Sequence, residues 1–307
     1  TVRFTMHTIP ARDYWVHLLG GPCFQRFLPY FDRAAKHRGI PEQEWRIRHL
    51  YEPLLDRIKG RTITSNEIKQ FMIDSLNQRG LKGEMKLQRG WQSKATHGPA
   101  WSGFNEMAFL GLLVNVGREG SESVWMGSAD YLPTRQRPDP EECLVELIRK
   151  YIEHYDPVTR KDIVYWSYLT VGQVNRALEA MKKDLRKETI SGQEYLSIDG
   201  ESSEKLDPPG VIILPEFDSL MMGHRDKSRI FPPASQKKIF LTLGRISRTI
   251  LLDGFVAATW KRKKERSGIL VDVSPLRRLA AREKGSIEEE FVKYADYRKT
   301  QISVQFK

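Results

Sequence analysis

Glu141-Glu-Cys-Leu-Val-Glu-Leu-Ile-Arg-Lys-Tyr-Ile152, Asp156-Pro-Val-Thr-Arg-Lys-Asp162 and Thr170-Val-Gly-Gln-Val-Asn-Arg-Ala-Leu178 decide the fold class. Leu144, Leu147, Ile148, Tyr151 and Ile152 recur at three- and four-residue spacing, which predicts a helix with one buried face. Thr159 followed by Asp162 is a capping signal, so a second helix should start there and carry Ile163, Tyr165 and Trp166. Thr170 is expected to cap a third helix with Val171, Val174, Leu178 and Met181 as its inner stripe. Two strand-like runs around Ser191-Gly192 read as a hairpin. Three helices followed by a hairpin is the order of a winged helix, a motif that usually binds duplex DNA, so 139–199 is read as one such unit.

Working back along the chain, residues 61–133 repeat that order without repeating the sequence. Thr64-Ser-Asn-Glu67 is a capping box before Ile68, Phe71, Met72 and Leu76, with Gly80 as the stop. Phe104, Met107, Leu110 and Leu113 suit a further helix, and 114–127 suits a wing hairpin. Residues 132–140, rich in proline, form a linker. Residues 1–60 open on an alternating, strand-like run, Thr1-Val-Arg-Phe-Thr-Met-His-Thr-Ile9, and continue as helical stretches. They are read as the remainder of an earlier winged unit, with a preceding segment expected before Thr1.

Beyond Ser197 the character changes. Val211-Ile-Ile-Leu214 is a short buried strand, and Asp253-Gly254 sits between two strand-like runs as a hairpin turn. Residues 268–274 extend the sheet, and a helix over 286–297 ends the chain. Residues 210–307 are therefore expected to be an antiparallel, β-rich domain with a terminal helix. The fold class is α+β: tandem winged-helix units followed by a β-rich C-terminal part.

The totals restrict function. Of 307 residues, 40% are hydrophobic, enough to bury cores in two or three units. No run of roughly eighteen apolar residues occurs, so no membrane span is expected. Two cysteines, Cys23 and Cys143, make neither a disulfide framework nor a zinc spacing, which suits a reducing cytoplasm. The net charge of +11 favours a polyanionic partner. No phosphate loop, nucleophile elbow or His-Glu-x-x-His pair is present, and no cofactor or metal is expected.

Four places could touch nucleic acid. Gln173, Asn175 and Arg176 lie on the outer face of the third helix of 139–199, where such side chains read base edges or hold phosphates; a plain solvated face is the alternative. Lys261, Arg262 and Lys263 follow Trp260 at a hairpin end and could grip a phosphate backbone, or form a solvated tip. His224-Arg-Asp-Lys-Ser228 offers Arg225 and Lys227, with Arg225 and Asp226 as a structural ion pair in the alternative reading. Arg3 and His7 share one face of the first strand, where a lone histidine more often makes a structural hydrogen bond.

Four blocks resemble the AlkZ/YcaQ-like family of bacterial tandem winged-helix DNA glycosylases. Residues 3–14 look like its Arg-x-Thr-x-His-x-x-Pro-Ala-x-Asp-Tyr segment, and 156–167 like Gly-Pro-x-Thr-x-x-Asp-x-x-x-Trp-Ser, with Asp156 in place of glycine. Residues 214–228 are similar to Leu-Pro-x-Phe-Asp-x-x-Leu-x-Gly-x-Arg-Asp-Arg-Ser. Residues 253–260 are similar to Asp-Gly-x-Val-x-Gly-Thr-Trp, with Ala258 where glycine is usual. The resemblance implies three winged units, a basic channel for double-stranded DNA, and hydrolysis of the N-glycosidic bond of alkylated bases, bulky or crosslinked adducts included. Its catalytic Gln-apolar-Gln or Gln-apolar-Asp motif normally precedes the Arg-x-Thr-x-His segment, and neither pattern occurs in these 307 residues. No catalytic residue is therefore carried over. Two functions stay open: a DNA-repair glycosylase, or a winged-helix DNA-binding protein, regulatory or protective, without catalysis. A monomer is expected in either case.

Overall fold

A computed structural model of the chain describes residues 8–21, 23–81, 103–133, 137–198, 207–266 and 268–307, the side chains of 23–27 and 243 excepted. Arg3 and His7 lie outside the described residues. Mixed helices and strands make the fold α+β. Residues 1–151 with 167–183 form one compact unit, and 152–166 with 184–307 form another. This division cuts across the unit expected at 139–199.

In the first unit, α1 (Tyr14–Leu19) and α2 (Cys23–His37) are followed by α3 (Gln43–Arg46), a π-helical turn over Ile47–Tyr51 and α4 (Glu52–Arg57). Then come β1 (Ile63–Thr64), α5 (Ser65–Asn77), α6 (Gly103–Phe109), β2 (Leu113–Glu119), β3 (Glu122–Gly127) and α7 (Ser128–Tyr131). The expected boundary between residues 60 and 61 is not a core boundary. Leu50, Leu54 and Ile58 share one buried cluster with Ile68, Met72, Leu76 and Met107. The apolar stripes of 43–58 are covered by α5 and α6, and each large aliphatic side chain so buried contributes about 1.5–3 kcal/mol.

Thr64 starts α5 with a full capping box: its side chain accepts from the Glu67 amide, and the Glu67 carboxylate accepts from the Thr64 amide (2.8 Å) and hydroxyl (2.8 Å). These bonds hold the Glu67 carboxyl below its ordinary range. The three-stranded sheet has the order β1-β3-β2, so the short strand before α5 pairs with the second strand of the hairpin.

α8 (Pro140–Tyr155), α9 (Arg160–Ser167) and α10 (Val171–Ala180) precede the hairpin β4 (Leu185–Ile190) and β5 (Gln193–Ile198). Asp139 accepts from the amides of Glu141 and Glu142, capping α8. Leu144, Leu147, Ile148, Tyr151 and Ile152 are buried, as the spacing required. Val171 is not inward: it is 55% exposed at the first turn of α10, and Val174, Ala177, Leu178 and Met181 carry the buried stripe. Val171 is the first residue of α10, directly after the Thr170 cap. Val158 bridges to Leu196 of β5 in both directions (3.0 and 2.7 Å). The pairing of β1 with the second hairpin strand just before a capped helix thus has a one-residue counterpart at Val158.

In the second unit, β6 (Val211–Leu214), α11 (Leu220–Gly223), α12 (Gln236–Ile239), β7 (Arg248–Leu252), β8 (Phe255–Lys264), β9 (Ile269–Pro275), α13 (Ala281–Arg298) and β10 (Ile302–Phe306) follow. The sheet order is β10-β9-β8-β7-β6. Asp253 (φ 50°) and Gly254 (φ 83°) make the tight turn between β7 and β8, since both central positions of such a turn need positive φ. Two expectations are corrected here. The sheet is not wholly antiparallel, because β10 runs parallel to β9. Nor is the helix terminal, because α13 is the crossover that a parallel pair needs. Ile287 and Phe291 of α13 join Trp260, Val271 and Val273 in one buried cluster. Among the described residues no helix is long and apolar enough to cross a membrane.

The first unit holds a buried charge pair. Arg46 and Glu106 are both fully buried, 2.7 Å apart, and Glu106 also accepts from the Tyr51 hydroxyl at 2.6 Å. Burial opposes the Arg46 charge, and the Glu106 carboxylate more than offsets it, keeping the guanidinium pKa above its ordinary value. Replacing Glu106→Ala takes from Arg46 its buried counter-charge and leaves it the half-exposed Asp32 at 3.1 Å; it should cost about 3 kcal/mol in urea unfolding, whereas Arg46→Met with Glu106→Leu should cost far less. A single-variant loss under about 1 kcal/mol would contradict this account of the core.

Candidate nucleic-acid interface

The site is built from the turn that starts α9. Thr159 caps the helix by accepting from the Asp162 amide (3.1 Å), and the Asp162 Oδ2 accepts from the Thr159 amide (2.8 Å) and hydroxyl (2.7 Å). Asp162 is buried, and its other oxygen accepts from the backbone amide of Arg225 at 2.7 Å. One carboxylate thus caps a helix and fixes a loop far along the chain.

Neighbouring bonds lock the same loop. His224 is buried, and its Nε2 donates to the Tyr155 carbonyl at 2.9 Å, which requires the tautomer protonated at that nitrogen. Burial first, and Arg229 next, pushes its pKa down, so the ring is neutral near pH 7. A Cβ at Gly223 would stand 2.4 Å from the Tyr155 ring, so only glycine allows this approach. Asp226 accepts from the Ser228 amide at 2.9 Å, which lowers its pKa, so its carboxylate closes a turn. Arg229 donates to the Pro157 carbonyl at 2.7 Å and stands over the Tyr195 ring.

The candidate residues fare differently. Lys227 is a correction: it points inward, its Nζ donating to the Met221 carbonyl (2.7 Å) and the His224 carbonyl, above the Tyr165 ring. An ammonium that satisfies buried carbonyls stabilises the loop and is not offered to a phosphate. Arg225 is exposed, and its backbone amide is held in the Asp162 bond. Gln173 is exposed, but its carbonyl oxygen accepts from the Thr170 amide and hydroxyl as half of a capping box. Its function in the fold is to start α10, which leaves only its amide group facing outward. Arg176 pairs with Glu141 at 2.9 Å on the surface, a bond worth about 0–1 kcal/mol that a phosphate can replace.

Lys261, Arg262 and Lys263 are exposed on β8, opposite Asp272, Val271 and Leu270 of β9. Strand alternation splits them. Arg262 shares the face of Trp260 and donates to the Tyr294 hydroxyl at 3.2 Å, leaving Lys261 and Lys263 on the other face. Sequence reasoning missed Asp162, Tyr155 and Arg229 as parts of the site. The Thr-x-x-Asp signal was visible, but only as a helix cap. Among the described residues no group of three or more His, Cys, Asp or Glu could hold a metal ion.

The sequence profile described as "DNA glycosylase AlkZ-like" matches residues 1–297. The chain belongs to the AlkZ-like DNA glycosylase family. A similar solved structure is the Streptomyces sahachiroi DNA glycosylase AlkZ, with a TM-score of 0.73 at 18% identity, covering 100% of this chain and 80% of that one. At that identity the likeness speaks for the fold. No curated protein matches the chain by sequence. Membership in the AlkZ-like family makes this a DNA-binding protein of DNA repair.

Asp162→Ala removes the carboxylate half of the capping box and leaves the part-buried Arg225 amide without its acceptor. Caps are worth about 1 kcal/mol and an orphaned buried donor about 1–3 kcal/mol, so a loss of about 2–4 kcal/mol is expected. Hydrogen exchange at the Arg225 amide should accelerate with it. Unchanged exchange there would show that the carboxylate does not hold the loop.

Proposed function

We propose that this AlkZ-like protein excises alkylated bases, bulky or crosslinked adducts included, from duplex DNA by hydrolysing the N-glycosidic bond. The family match over 1–297 carries the reading, and the net charge of +11 fits a polyanionic partner. The reading takes tandem winged-helix units as the DNA-binding frame, a monomer as the acting species, and the reducing cytoplasm as its compartment.

The chemistry asks little of the protein. An N7-alkyl purine is cationic and already a good leaving group. The protein then needs to hold the duplex, orient a water and stabilise an oxocarbenium-like sugar with fixed amide or carboxylate oxygens. Complete extrusion of a bulky adduct into a closed pocket is not required, unlike in many base-processing enzymes. No Gln-x-Gln or Gln-x-Asp occurs in the 307 residues, and no residue of this chain is assigned the water-orienting role. Supporting groups for the phosphate backbone are Arg225, on a loop that Asp162 and His224 hold, together with Lys261 and Lys263 at the end of β8.

The full-length protein should release free base from duplex DNA carrying N7-alkylguanine. Binding without release across several adducts would make the protein a non-catalytic DNA binder. Replacing Lys261, Arg262 and Lys263 by Ala should weaken all duplexes alike. It should lower the salt-dependence slope by about 2, for two lysine–phosphate contacts at roughly 0.9 each. An unchanged slope would remove the β8 end from the interface.

A further inference from the structure

Phe217 departs from two regularities at once. It is 58% exposed, and its φ of 63° lies in the left-handed region that bulky side chains avoid. Such a turn is ordinarily served by glycine, asparagine or aspartate. Phenylalanine there raises the energy of the backbone and leaves more than half of its surface in water.

A residue stays in that conformation only where its surroundings over-determine it. Here they do. The Trp260 indole donates to the Leu214 carbonyl at 3.0 Å, fixing the end of β6. The Glu216 carboxylate takes Arg245 at 2.9 Å and Arg248 at 3.0 Å. On the other side, Asp218 accepts from the Leu220 amide at 2.9 Å and starts α11. The residues before and after Phe217 are therefore tied down by charge and hydrogen bonds, while the ring between them stays uncovered. Fixed flanks, a costly backbone and a solvated aromatic together describe a side chain whose partner lies outside the chain.

We propose that Phe217 is a wedge that stacks into the base pairs of duplex DNA beside the damaged nucleotide. This rests on the duplex-DNA reading above. A flat apolar ring on a rigid support suits the π-face of a base, and side chains of this kind open base steps in other DNA-binding proteins. Guanidinium groups stand on the same support: Arg245 is 60% exposed in its side chain, so it keeps N–H groups available for the backbone next to an opened step. The wedge would supply a preference for damaged duplex, since a step already weakened by an adduct or a missing base costs less to open.

The test uses the full-length protein and a duplex with a tetrahydrofuran abasic analogue flanked by 2-aminopurine. Binding of the wild type should raise the 2-aminopurine fluorescence. Phe217→Ala should abolish that rise and weaken the analogue duplex roughly 5- to 100-fold, with the undamaged duplex unaffected. Phe217→Trp should keep both properties. Phe217→Gly should lose the fluorescence rise yet melt no lower than wild type, because glycine accepts the backbone angle; a lower melting temperature would assign Phe217 to the fold instead. The proposal is overturned if the wild type gives no rise, if Phe217→Ala keeps it, or if that variant weakens damaged and undamaged duplexes equally. Neither binding nor fluorescence requires base release, so failure of the wedge and absence of glycosylase activity are read separately.

Discussion

The Asp162 carboxylate is the constraint on which the site depends. A buried charge is tolerated only when its lone pairs are used, and here they are taken by Thr159 and by the amide of Arg225. The first pair of bonds belongs to helix α9 and is local. The third reaches across more than sixty residues and sets where the 221–229 loop lies. With Tyr155 accepting from His224 and standing against Gly223, two sequence blocks that look unrelated become one piece of structure. The exposed Arg225 gains its position from the bond between its own amide and Asp162.

The same device recurs across the fold. Thr64 with Glu67 and Thr159 with Asp162 are matching caps, the first placed after the short strand β1 and the second after the single bridging residue Val158, each paired with the second strand of a hairpin. The difference is burial. Glu67 is exposed and serves only its helix, whereas Asp162 is buried and is reused as a tertiary anchor. In the C-terminal sheet, Trp260 has a comparable double use, packing its ring on Phe291 while its N–H fixes the Leu214 carbonyl.

Features set by neighbours along the chain are legible in the residues alone. The capping boxes at Thr64, Thr159 and Thr170, the Asp253-Gly254 turn and the stripe from Leu144 to Ile152 each follow from spacing that local chemistry enforces. What depends on tertiary partners is not legible in that way. Strand β10 pairs in parallel with β9 only because α13 carries the chain back, and Ile302–Phe306 alone does not disclose its partner. Lys227 reads as a surface cation because spacing alone does not show that its ammonium turns back onto the carbonyls of Met221 and His224, six and three residues earlier, over the Tyr165 ring. The shared core of 43–58 with α5 and α6 is hidden for the same reason, since an apolar stripe does not name its partner. At the candidate site, the residue types are visible in the sequence and their division into supporting and exposed members is not.

The central claim is that the segment running from Phe217 through α11 to Arg229, held by Asp162 and His224, faces DNA in this AlkZ-like protein. Hydrogen–deuterium exchange of the full-length protein, with and without an alkylated duplex, tests it most directly. The account predicts slowed exchange over 215–229 and at the end of the β8–β9 hairpin on DNA binding, reversed by high salt. Saturating DNA that leaves both segments unchanged, with protection confined elsewhere, would contradict it.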